Sequence, residues 1–162
     1  ARGGGVGQDF TRPLRELPAY FEFEKLIMDV ALKITLIASI ILMGYNVSEF
    51  VTSYEALCEK TDEFKKLAVE NESNEGDLRR SNLLLSMGLS IVFIGLTYLS
   101  GLAFWITAVV AVKLFFTLYC SDLLLVCVLR VGDIPKKFYM LSKVDALLNA
   151  FLGLGVALIL VL

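Results

Sequence analysis

Lys113 is the residue of this chain whose surroundings least suit its chemistry. It stands within Ala111-Val112-Lys113-Leu114-Phe115, deep in apolar sequence. A cation among hydrocarbon side chains is expensive and ordinarily faces a partner, a water-filled cavity or an ion path. Two readings are open. In the functional one, Lys113 serves a proton or ion path, or gives counter-charge to a substrate or a lipid headgroup. In the structural one it snorkels to the interface, or pairs with a carboxylate of this chain or of a neighbouring subunit.

The other charged residues in or near apolar stretches have simpler readings. Asp29 and Lys33 are one helical turn apart with the acid first, the favourable order, so they neutralise each other as an interfacial ion pair. Asp122 and Glu49 fall toward the opposite membrane face with Arg130, Lys143 and Asp145, where pairing among these groups would lock helix ends. Asp122 follows Lys113 by nine residues, about half a turn around a helix, so those two do not pair.

The reactive side chains exclude more chemistry than they offer. There is no histidine, hence no bis-His haem, no His-ligated metal and no Ser-His or Cys-His nucleophile pair. Cys58, Cys120 and Cys127 form no CxxC pair. Cys120 and Cys127 share one helix face about 10 Å apart along the axis, a packing arrangement rather than a redox or metal pair. No spacing brings a Ser, Asp or Lys together as nucleophile and base. The expectation is therefore a non-enzyme without metal or cofactor. A net charge of −2, with both signs interspersed, gives nucleic acid no basic face to bind.

The elements that hold these residues follow from composition. The chain has 162 residues, 57% hydrophobic and 20% charged, with a mean hydropathy of +0.71. Soluble domains are about 45–50% apolar and about 25% charged, so an all-α integral membrane protein is expected. Residues 1–25 read as a polar arm with Gly3, Gly4 and Gly5 in a run and breakers at Pro13 and Pro18. The remainder, 26–162, reads as one four-helix membrane domain, with spans of about 26–50, 82–99, 102–129 and 144–162. Residues 81–112 carry no charge and are too many for one ordinary crossing; Ser100-Gly101 is the natural corner that divides them. The terminal carboxylate of Leu162 is expected at the interface opposite the 130–143 connection.

Two polar connections link the spans. Within 51–81, Val51, Tyr54, Leu57, Cys58, Phe64, Leu67 and Ala68 keep a three- to four-residue spacing, which predicts an amphipathic extension of the first helix to about residue 70. It is expected to bend onto the membrane surface or to project and be held by another chain. A breaker cluster follows at 71–76, with Asp77 expected to cap the next helix. The second connection, 130–143, contains Pro135 and the pair Lys136-Lys137. The two connections carry nine bases against four on the arm, which places both in the cytoplasm or its organellar equivalent.

Small residues form stripes of the kind that let helices approach closely in lipid. These are Ala31-Thr35-Ser39 on the first span, Ala103-Thr107-Ala111 on the third, and Ala146-Ala150-Gly153-Ala157 on the fourth. They read as packing faces, within the bundle or, since four spans have little perimeter, against other membrane subunits. Arg130, Lys136, Lys137 and Lys143 are candidate contacts for phospholipid headgroups, cardiolipin included.

The preferred expectation is a non-catalytic accessory or scaffold subunit of a larger membrane complex, with other membrane-protein subunits and phospholipids as partners. A respiratory-type assembly of an organellar inner membrane such as the mitochondrial one fits a first residue that is Ala rather than Met if a targeting peptide has been removed; a chain given in part fits equally well. The alternative is a small transporter or ion-conducting subunit organised around Lys113. A second alternative is a membrane-shaping or lipid-binding protein with the amphipathic extension as its wedge.

Overall fold

A computed structural model of the chain describes residues 17–131 and 134–162. Among the described residues 91% are helical and none lies in a strand. The expected arm over residues 1–16 lies outside the described residues. From residue 17 onward the arm is already helix: α1 runs Leu17–Val51, with Pro18 in its first turn, where a missing N–H costs nothing. The chain continues as α2 (Tyr54–Glu70), α3 (Glu75–Leu99), α4 (Phe104–Val131) and α5 (Lys136–Val161). Apart from α2, each has the length and apolar content to cross a membrane. The molecule is an all-α membrane protein with four spanning helices.

Local chemistry sets the boundaries. Thr52 turns its hydroxyl back to the Ser48 carbonyl (2.8 Å), and Ser53, in extended conformation, accepts from the Ala56 N–H. Such hydroxyls compete with the helical ladder and cap new helices, so the amphipathic segment after the first span is a separate helix, α2. It ends where Asn71 hydrogen-bonds the Leu67 carbonyl through its side chain (2.8 Å). Asn74 then caps α3 by accepting from the Gly76 N–H (2.8 Å). Asp77, expected as that cap, sits inside the first turn with Glu75, where acids complement the helix dipole. The second crossing helix thus starts seven residues before the expected 82.

At the corner between α3 and α4, Gly101 has φ +80°. A side chain there would be strained, and its β-carbon would stand 3.2 Å from the Met28 sulfur. The connection expected over 130–143 is much shorter, because α4 persists to Val131 and α5 begins at Lys136. Pro135 cannot extend α4, but its fixed φ suits the residue that precedes α5.

The four long helices form a ring in which α1 packs on α5, α5 on α4, α4 on α3 and α3 on α1, with α1–α5 the most extensive contact. α2 stands outside these pairings. Phe93, Val110, Leu114 and Val156 make the buried core, one or two residues from each of α3, α4 and α5, with Ala38 and Leu42 of α1 against it.

The α1–α5 contact is made by small residues. Ala31, Thr35 and Ser39 on α1 and Ala146, Ala150 and Gly153 on α5 are all buried. A β-carbon on Gly153 would meet the Ser39 carbonyl oxygen at 2.7 Å and the Met43 nitrogen at 3.0 Å, so the two backbones touch there. Ala157, further along α5, is half-buried. The two stripes overlap where Gly153 meets Ser39, while Thr35 turns its hydroxyl to the Leu96 carbonyl of α3, so these buried faces are used inside the chain. On α4, Thr107 is buried with its hydroxyl unbonded, Ala111 is half-buried and Ala103 is exposed.

Candidate functional site

Two polar pairs, each one turn apart on its own helix, meet between α4 and α5. Lys113 and Thr117 come from α4, Asp145 and Asn149 from α5. Lys113 lies about 14 Å along α4 from Phe104 and Asp145 about 14 Å along α5 from Lys136. Those ends are on opposite membrane faces, so both side chains reach the middle of the bilayer.

The Lys113 ammonium spends all three of its hydrogens. It donates to Asp145 Oδ1 at 2.7 Å, Asn149 Oδ1 at 2.8 Å and Thr117 Oγ1 at 2.8 Å. The second carboxylate oxygen, Asp145 Oδ2, accepts from Asn149 Nδ2 at 3.1 Å. The Phe116 ring lies 5.6 Å from the ammonium. The side chains of Lys113 and Asp145 are 15% and 11% exposed. Charge and hydrogen bonding are therefore both balanced, the condition under which a buried ion pair is tolerated. Of the readings open for Lys113, pairing with a carboxylate of the same chain is the arrangement found.

This network does not sit in close-packed surroundings. Thr117, Asp145 and Asn149 form part of the wall of a cavity of about 720 Å³ bounded by all four spanning helices. The cavity lies mainly in the half of the bundle toward the α1 C-terminus and the α5 N-terminus, with the core residues Phe93 and Leu114 in its wall. α1 and α3 meet near the other end, where the Thr35 hydroxyl is 3.1 Å from the Leu96 carbonyl oxygen. Nearer the α1 C-terminus they are separated by the cavity, with Asn46 and Glu49 on one wall and Asn82 and Ser86 on another.

The ends of the helices around this cavity are fastened by charge, in pairings other than those expected. Asp122 holds Arg79 of α3 in a two-pronged contact, both bonds 2.6 Å, and Arg130 reaches Glu75 at 3.0 Å. Among the described residues, Lys143 takes no carboxylate. Its ammonium donates to the carbonyl oxygens of Glu49, at 3.1 Å, and of Phe50 and Thr52, the orphan acceptors at the end of α1. Asp145, expected among these end groups, turns inward to Lys113. The Tyr139 hydroxyl also donates to the Thr52 carbonyl, and Tyr54 binds the Ile134 carbonyl at 2.6 Å, so the α1–α2 break is locked to the start of α5.

Asp29 and Lys33 pair at 2.8 Å on an exposed face, far from this site. Lys136 and Lys137 are exposed, whereas Arg130 and Lys143 are occupied as described. Reading the sequence span by span misses Asp145, Asn149 and Thr117 as partners of Lys113. Their signal was present: two polar i,i+4 pairs in apolar helices of opposite direction, which cannot face lipid and so must face each other.

No protein-family model matches the chain, and no curated protein and no solved structure is significantly similar to it.

Proposed function

We propose that the chain is a small transporter or ion-conducting membrane subunit in which the Lys113–Asp145 pair is the exchangeable charge site. One observation carries this reading: three of the four members of the balanced network, Thr117, Asp145 and Asn149, line a cavity rather than lying inside a sealed core. An ion pair enclosed by close packing is out of reach of any solute, whereas one beside a cavity is within reach of what enters. A proton or cation arriving at Asp145 competes with the Lys113 ammonium for the carboxylate. Thr117 and Asn149, which bond both partners, keep the displaced group hydrogen-bonded during the exchange.

Reconstitution in liposomes tests the reading. With potassium and valinomycin holding the potential at zero and an imposed pH gradient, proton flux is expected above that of protein-free vesicles. It should fall at least ten-fold in the double variant Lys113→Met with Asp145→Leu, which removes both charges together. Wild-type flux equal to protein-free vesicles, or flux unchanged in the double variant, overturns the proposal.

A second reading, a non-catalytic accessory subunit of a larger membrane assembly, draws support from α2. This 17-residue helix lies outside the bundle pairings, with Phe64, Leu67 and Val69 exposed. Most helical stability in proteins comes from packing of an amphipathic face, and this one is left uncovered. Its five acids against three bases suit a protein surface better than anionic lipid. Isolation from the native membrane in mild detergent as a lone monomer would remove that reading.

A further inference from the structure

We propose that the cavity takes a protonated amine carried on an apolar body, a cationic amphiphile, with Glu49 as its charge partner. The inference adopts from the preceding reading the cavity as the place where a solute sits, and adds the solute's chemical class.

Charge comes first. Among the described residues the wall holds two carboxylates, Glu49 and Asp145, and no lysine or arginine. Asp145 is neutralised from behind by Lys113 at 2.7 Å. The remaining cation nearby, Lys143, is committed to the carbonyl oxygens of Glu49, Phe50 and Thr52. Those carbonyls are neutral, so Lys143 keeps its charge, but among the described residues no ammonium or guanidinium forms an ion pair with the half-buried Glu49 carboxylate, whose hydrogen-bonding neighbour is Tyr45. Glu49 is the wall carboxylate open to a cation.

Hydrogen bonding has the same bias. Ser90 and Ser142 give their hydroxyl hydrogens to the carbonyls of Ser86 and Tyr139, and Asn46 gives one amide hydrogen to the Leu42 carbonyl at 2.7 Å. Asn82 turns its amide nitrogen toward Ser121 Oγ at 3.4 Å. Ser90 and Ser142 therefore turn lone pairs to the space, as do the Glu49 and Asp145 carboxylates, which suits a ligand that brings N–H donors.

The third observation is the way in. Ile41 and Tyr45 on α1 and Leu89 and Val92 on α3 border the cavity and are 59–65% exposed on the outer surface of the bundle. The gap between α1 and α3 therefore opens sideways, toward hydrocarbon in a spanning orientation. A solute using it must partition into lipid, and the apolar part of the wall, with Leu42, Phe93 and Leu96, holds a hydrocarbon body.

The test uses the full chain in nanodiscs of zwitterionic lipid, titrated calorimetrically with octylamine, octanol and octanoate against empty nanodiscs. Octylamine is expected to bind saturably with one site per chain, octanol at least ten-fold more weakly, and octanoate not at all. Glu49→Gln should weaken octylamine binding at least ten-fold, while Glu49→Asp, which keeps the charge, retains it. Equal binding of octanol or octanoate, octylamine binding unchanged in Glu49→Gln, or no saturable octylamine binding to the wild type each overturns the inference. Proton flux separates it from the reading it builds on. Flux without amine binding discards the cationic class alone; amine binding that depends on Glu49, in a chain without flux, leaves a binding site and discards conduction.

Discussion

At the scale of single residues, the determining fact is that Lys113 has as many acceptors as it has hydrogens. Removing one partner of a buried pair leaves the other charge stranded, at a cost of roughly 3–5 kcal/mol, whereas replacing both with apolar groups is often neutral. Lys113→Met should therefore lower the unfolding free energy of the detergent-solubilised protein by about that amount. Adding Asp145→Leu should recover most of the loss, because Asn149 and Thr117 retain each other at 3.1 Å. Equal destabilisation by the single and double variants in denaturant titrations would show that the pair does not behave as a unit. Lys113 announced itself by its setting in the sequence, but its partners did not. Asp145 lies only two residues from Lys143, which made it read as a helix-end charge. Only the facing of α4 and α5 turns it inward.

At the scale of elements, α1 and α5 are joined by backbone proximity and by the capping of α1's last carbonyls by Lys143. Without a hydrophobic drive between helices in lipid, close packing carries such an interface. Gly153→Ala places a methyl group against the Ser39 carbonyl, and a cost of about 1–3 kcal/mol is expected from the forced separation. Gly155→Ala, two residues on, meets nothing within 4 Å and should be neutral or slightly stabilising, since it adds helix propensity. The contrast between the two, read as thermal unfolding in one detergent, checks the contact independently of any general glycine effect. The stripes that make this interface were legible as i,i+4 patterns. Which stripe meets which was not, because small-residue spacing marks a face and names no partner. The end of the first span had the same ambiguity: apolar periodicity runs through Thr52 and Ser53, and hydroxyl capping there starts a new helix.

At the scale of the whole molecule, four crossings place α2 and the α4–α5 connection on one membrane side and the α3–α4 corner on the other. Cys58 on α2 is half-buried, while Cys120 and Cys127 are buried in the bundle. In sealed vesicles a membrane-impermeant maleimide should label Cys58 from one face and an introduced Phe104→Cys from the opposite face. Cys120 and Cys127 should react only after denaturation. Labelling of both positions from the same face would refute the topology. The proposed solute path also belongs to this scale, since its wall is assembled from all four spanning helices and no single helix contains it.

The amino-acid sequence by itself determined that the chain crosses a membrane, how many times, and where most crossings turn. Apolar runs, a corner glycine and proline placement act locally, and lipid leaves helices as the one way to satisfy so many backbone groups. It also exposed one lysine that had to find a partner. The tertiary structure alone decided that this partner is Asp145, that Gly153 of α5 closes on Ser39 of α1, and that a carboxylate-bearing cavity remains between α1 and α3. Those outcomes depend on the rotation and register of each helix against its neighbours. That choice is set by packing and hydrogen bonding between residues far apart in the chain, which no local pattern encodes.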